Sequence, residues 1–235
     1  MYSTIYNVFN IMFIVFIGSL LVNGIFLLIR SYKLRRLNVF HIGIAHIFIV
    51  LGFVGNLIFN LSLLFEETFV SLGFFFGVLF TFTTFHKNRD INAKYTLLFI
   101  SILLLVHYIF QVIYFITPGS LVHIISKILD IASTFSVFGW MGFSSFFAYQ
   151  RIKDENVQDW IKFRYKLISF SASILSLQAI PELFIRYDVE YGDPANLGTL
   201  VIFGFTLIFS LIFSIGFLIA WIFPKYIKKV SSPEE

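Results

Sequence analysis

Long apolar runs alternate along the chain with short clusters of basic or turn-forming residues. A helix needs about 20 mostly apolar residues to cross a bilayer. By that measure the pattern predicts seven spans, at 7–29, 38–64, 69–86, 95–116, 120–149, 166–186 and 198–223. The third is short and Phe-rich, "FVSLGFFFGVLFTFTTFH". The apolar run behind "MYSTIYNVFN" is too long for a signal peptide, so a retained first span is expected. Short links favour neighbouring antiparallel helices in one bundle. The chain shows no internal repeat or low-complexity linker, and 1–235 reads as a single all-α, polytopic, seven-transmembrane-helix domain.

Composition agrees. Hydrophobic residues make up 58% of the chain and charged residues 13%, against about 25% charged in soluble domains. With 33 Phe and so few polar groups, most of the surface must face lipid. The absence of Cys excludes disulfides, thiolate metal sites and a cysteine nucleophile. The net charge of +4 says less than where the charges lie. The links "RSYKLRR" (30–36), "HKNRD" (86–90) and "QRIKDENVQDWIKFRYK" (150–166), with the tail "KYIKK" (225–229), all fall on one side of a seven-span chain. The other side carries Glu66–Glu67, "TPGS" and "RYDVEYGDPAN", with Arg186 its one clear basic residue. Cytoplasmic loops carry the excess of Lys and Arg. The expected protein is therefore multi-pass in the cell membrane, with its N-terminus outside and its C-terminus cytoplasmic.

Polar residues inside the spans carry the candidate chemistry. In "HIISKILD", His123, Lys127 and Asp130 share one helix face. Lys127 and Asp130 lie roughly 10–15 Å along a helix that starts at 120. Two readings stand. Residues 131–149 are long enough to cross alone, leaving Lys127 to snorkel at the outer interface. Otherwise the stripe is buried, and ionisable groups at that depth mark function. Helix four carries His107, Gln111 and Tyr114 at the same spacing, and helix six carries Ser171, Gln178 and Glu182. All three stripes are richest toward the outer leaflet. Lipid offers them no hydrogen-bond partners, so they should turn inward around a polar pocket between helices four, five and six. Lys127 would pair there with Asp130 or Glu182, with His123 at the mouth. The blander alternatives are interhelical hydrogen bonds for Gln111 and Tyr114 and an interfacial position for Glu182. Pro181 is expected to kink helix six.

Other polar groups point less clearly to chemistry. His46 and His107 lie at roughly similar depth, which raises haem as a less favoured alternative; His86 and His123 do not match in depth. His41 joins His46 near the start of helix two. Asn23, Asn56 and Asn60 are expected to bond across helices or line a crevice, with Gly52 and Gly55 allowing close approach. Thr199, Thr206 and Ser210 can bond back to their own helix. The longest link, with Trp160, Phe163 and Tyr165, reads as an interfacial helix anchored by Lys162, Arg164 and Lys166, or as a docking surface. The chain has no GxxxxGK[ST], HExxH, GxSxG or GxGxxG, and no enzyme activity is expected.

Several seven-span families fail residue by residue. "LGTLVIFGFTLIFSLIFSIGFLIAWIF" has no Schiff-base lysine, and "FHKNRD" and "WIFPKY" lack the receptor signatures. In span number, orientation and short loops the whole chain resembles the seven-helix N-terminal sensor region of bacterial and archaeal membrane histidine kinases. Twelve residues follow 223, so the resemblance implies a stand-alone sensor region without a kinase domain, signalling through a partner. The Ile-, Phe-, Asn- and Lys-rich usage fits a microbial source. The leading expectation is an integral membrane sensor or receptor-like protein. Its ligand-binding candidates are His107, Gln111, Tyr114, His123, Lys127, Asp130, Gln178 and Glu182. A small-solute or proton-coupled transporter or channel is the alternative. No cofactor or metal is assigned. Expected partners are the lipid bilayer and a cytosolic signalling protein at the basic inner loops, not nucleic acid, and self-association into a homo-oligomer stays open.

Overall fold

The computed structural model describes residues 3–86, 91–185, 189, 192–193 and 195–222. Its helices are α1 (Ser3–Leu34), α2 (Leu37–Leu57), α3 (Leu63–Thr81), α4 (Ile91–Ile116), α5 (Ser120–Ile152), α6 (Asp159–Leu175) and α7 (Leu197–Ile222). A π-helical turn, Phe82–His86, extends α3, and a 3-10 turn, Ile180–Phe184, follows α6. Seven helical segments among the described residues are long and apolar enough to cross a membrane. The chain is an all-α, multi-pass membrane bundle. Each helix packs on the next, α7 returns to α1, and α3 reaches across to α5.

Several boundaries differ from the sequence pattern, each for a local reason. The second span stops at Leu57 rather than 64. Asn60 takes a left-handed conformation, φ 50°, in the turn that follows, so it is no helix-two residue. Asn is among the few residues that adopt this conformation readily. Ser62 then caps α3, its Oγ accepting from the Phe65 N–H at 3.3 Å. Hydroxyl caps of this kind satisfy one of the orphan donors at a helix start. Glu66 and Glu67 therefore lie inside the third span, not in the link before it.

The glycines of α2 explain how closely α3 returns. A Cβ on Gly55 would lie 2.2 Å from the Phe65 ring, and one on Gly52 would lie 2.9 Å from the Glu66 carbonyl. Only glycine permits this crossing, and the crossing carries Glu66 and Glu67 into the bundle.

Residues 150–166 do not form a separate interfacial helix. α5 continues to Ile152 and α6 begins at Asp159, so Trp160 to Lys166 are the first two turns of a span. The sixth span is not continuous to 186. It unwinds after Leu175, where Leu177 N–H and Gln178 N–H turn to carbonyls three residues back, at 3.1 and 3.0 Å. The break precedes Pro181, which opens the 3-10 turn, where its missing N–H goes unneeded. Arg186, the link residues 87–90 and the basic tail lie outside the described residues.

Candidate functional site

The unwinding after α6 assembles the site. On an unbroken helix Ser171, Gln178 and Glu182 would share one face. Here Ser171 Oγ donates to the Leu167 carbonyl at 2.7 Å and takes no part. Gln178, in the break, reaches α7 instead, its Oε1 accepting from Ser210 Oγ at 2.8 Å. Glu182, in the 3-10 turn, reaches α5, where Lys127 Nζ donates to its Oε2 at 2.5 Å. Their side chains are 24% and 14% exposed, so the pair is largely enclosed at the edge of the bundle. α5 runs unbroken from Ser120, which makes the first turns of the stripe continuous with the span.

Helix four meets helix five at matching depth. His107 is 4% exposed, with Nε2 3.9 Å from Asp130 Oδ1. Gln111 Nε2 lies 3.1 Å from the same His107 nitrogen. One turn further, Tyr114 packs against the His123 ring, 5.4 Å between centroids, and His123 Nε2 lies 3.3 Å from the Ile185 carbonyl.

These side chains surround a cavity of about 400 Å³. Gln111, Tyr114, His123, Lys127, Asp130, Gln178 and Glu182 all line it. His107 does not; it stands behind Asp130. The cavity is wider than a pocket between three helices, because α1, α2, α3 and α7 also contribute walls. The sequence reading missed Glu66 and Glu67 on α3, both of which line it. Asn56 Nδ2 donates to Glu66 Oε2 at 2.5 Å, the cross-helix bond expected of that asparagine. Ser210 was read as bonding to its own helix, but it faces the cavity and binds Gln178.

The cavity runs from residues at the helix ends, Leu63, His123 and Ile185, down to Phe74, Phe138 and Phe213. These three rings pack edge to face, at 5.1 and 5.2 Å between centroids, and form its floor. Beneath them Val78, Phe80, Met141 and Phe217 are fully buried. The bundle is open space above the phenylalanines and close-packed below.

His46 lies in the packed half. Its ring stacks on Phe213, and Nδ1 is 2.6 Å from the Ile42 carbonyl of its own helix. His107 turns to Gln111 and Asp130 instead. The two rings are engaged on different neighbours, and His46 Nε2 is buried without a hydrogen-bond partner. His41 and His86 bond to Thr83 and Ser144, at 3.3 and 2.7 Å.

Fold and cavity together define a seven-helix membrane protein with a mixed polar and aromatic internal chamber. Compared with protein-family models, curated proteins and solved structures, the chain has no match.

Proposed function

We propose that this is a sensor or receptor-like protein of the cell membrane, similar in role to the sensor regions it resembles. The carrying observation is the chamber itself: about 400 Å³, with polar groups set in largely apolar walls and stopped by the Phe74–Phe138–Phe213 floor. Small-molecule sites have this size and this mixture of apolar surface with a few placed polar groups. A packed floor suits binding and release on one side better than passage through. By the Lys and Arg distribution the chamber is on the outer side and the basic links are cytoplasmic.

The signal would travel along the helices that meet the ligand. Lys127 and Glu182 tie α5 to the 3-10 turn, so a ligand that separates or tightens them moves that turn against α5. α3 carries Glu66 and Glu67 at its chamber end and the π-helical turn at its other end, where His86 stacks on Trp140 of α5. Single π turns often mark functional positions in helices. A cytosolic partner would read the resulting shift at the basic links.

The test is a thermal-shift screen of small amphiphiles on the full chain in nanodiscs. At least one compound should stabilise the protein to an extent that both Lys127→Met and Glu182→Gln change. A screen in which no stabilisation depends on either residue ends this reading. One observation favours a transporter instead: broken helices with freed backbone beside a cavity are common in carriers, and α6 breaks at the chamber. Proton-coupled flux into proteoliposomes, abolished by Asp130→Asn, would replace the sensor reading.

A further inference from the structure

We infer that the chamber takes a monocationic amphiphile, an ammonium group carried on a small aromatic or alkyl body. The inference rests on the ligand-chamber reading above and adds the charge and shape of the occupant.

Four carboxyl groups line the cavity, from Glu66, Glu67, Asp130 and Glu182, and among its described lining residues Lys127 is the single Lys or Arg. The acids are not equally engaged. Glu182 is held by Lys127, and Glu66 accepts from Asn56. Asp130 faces the His107 ring at 3.9 Å. Glu67 makes no hydrogen bond and no ion pair with any described residue. Carboxyl groups in a low-dielectric chamber either take up a proton or draw in a countercharge, because ionised and unpaired they lose solvation that nothing replaces, and a cationic ligand supplies the countercharge.

The countercharge should be an extended organic cation rather than a metal ion. Among the described residues no three His, Asp or Glu side chains gather closely enough to hold a metal. The acids are spread over α3, α5 and the 3-10 turn, around a space large enough for a small organic molecule. Much of the remaining lining is apolar, both aromatic and aliphatic. Phe13 and Phe53 meet edge to face at 5.3 Å on one wall, and the three floor rings close the base. Ring faces attract ammonium groups and bury hydrocarbon equally well. An anionic ligand would have to displace Glu182 from Lys127 and then meet the remaining acids.

Three probes with one body and different heads separate the possibilities: 2-phenylethylammonium, 2-phenylethanol and phenylacetate. They are titrated calorimetrically into the full chain in phosphatidylcholine nanodiscs, whose zwitterionic surface does not concentrate cations. The ammonium should bind about tenfold tighter than the alcohol, with phenylacetate weakest. Glu67→Gln should weaken the ammonium by about tenfold, and Glu67→Asp should largely retain it. The inference is overturned if the alcohol or the acid binds as tightly as the ammonium, a result that leaves the chamber reading intact. It is equally overturned if ammonium binding survives both Glu67→Gln and Asp130→Asn, or if none of the three binds. The Lys127-dependent screen judges the chamber separately. Because the three-probe ranking is measured on the unmodified chain, it decides the matter even if a variant does not fold.

Discussion

Both ends of the bundle hold half-buried cations, and they do so by opposite means. At the end where α1 and α7 finish, Arg164 Nε donates to the Ala220 carbonyl and Arg30 Nη1 to the Trp221 carbonyl, each at 3.0 Å. These carbonyls lie in the last described turn of α7, and Pro224, four residues after Ala220, has no N–H to donate. The Arg164 guanidinium also lies 4.4 Å from the ring centroids of both Trp160 and Trp221. Positive charge complements a helix C-terminus, and the flat guanidinium suits aromatic faces. At the chamber end Lys127 is matched by a carboxylate, more carboxylates surround it, and about 400 Å³ of space remains. The arginines close off a helix end; the lysine borders a hole. On the proposed reading, the ligand site is marked by a surplus of acids among the described residues beside open space, and not by charge within the bundle alone.

The contrast can be broken most forcefully at the arginine end. Arg164→Ala removes a charged hydrogen bond and two cation–π contacts, and should cost about 2–4 kcal/mol of stability. Denaturation in detergent would show this, while probe binding to the surviving folded fraction should be unchanged. A binding loss without a stability loss would mean the two ends are not separate. Gly55→Ala comes next. Its methyl meets the Phe65 ring and forces α2 from α3, at about 1–3 kcal/mol, and it should also weaken ligands that use Glu67. Lys127→Met should cost the least, about 1 kcal/mol, since polar contacts in membrane bundles contribute modestly. The double variant Lys127→Met with Glu182→Gln should recover most of that loss, because Glu182 is then not left charged without its partner. If the double variant is less stable than the single, the pair is structural, and the chamber end resembles the arginine end after all.

The stripes show how much could be read in advance. Lys127, Asp130, Gln111 and Tyr114 come to one cavity because helix periodicity and the scarcity of polar residues both direct them inward. Ser171 was misread as part of its stripe because a break in α6 has no periodic signature; Pro181 hinted at it but lies after the unwinding. Glu66 and Glu67 looked like a polar link because they follow a long apolar run, and the run itself hid the turn at Asn60. Gly52 and Gly55 were the available clue, since a close helix crossing there had to bring something near.

The sequence by itself determined seven spans, a single bundle and the rows of side chains kept from lipid, because hydrophobicity and helical period act locally along the chain. Which acid would meet Lys127, that α3 would add two more, and that three phenylalanines would close the chamber were decided only in tertiary structure. Those outcomes depend on where helices stop, and on how closely their backbones cross, and both are settled by packing between residues far apart in the chain.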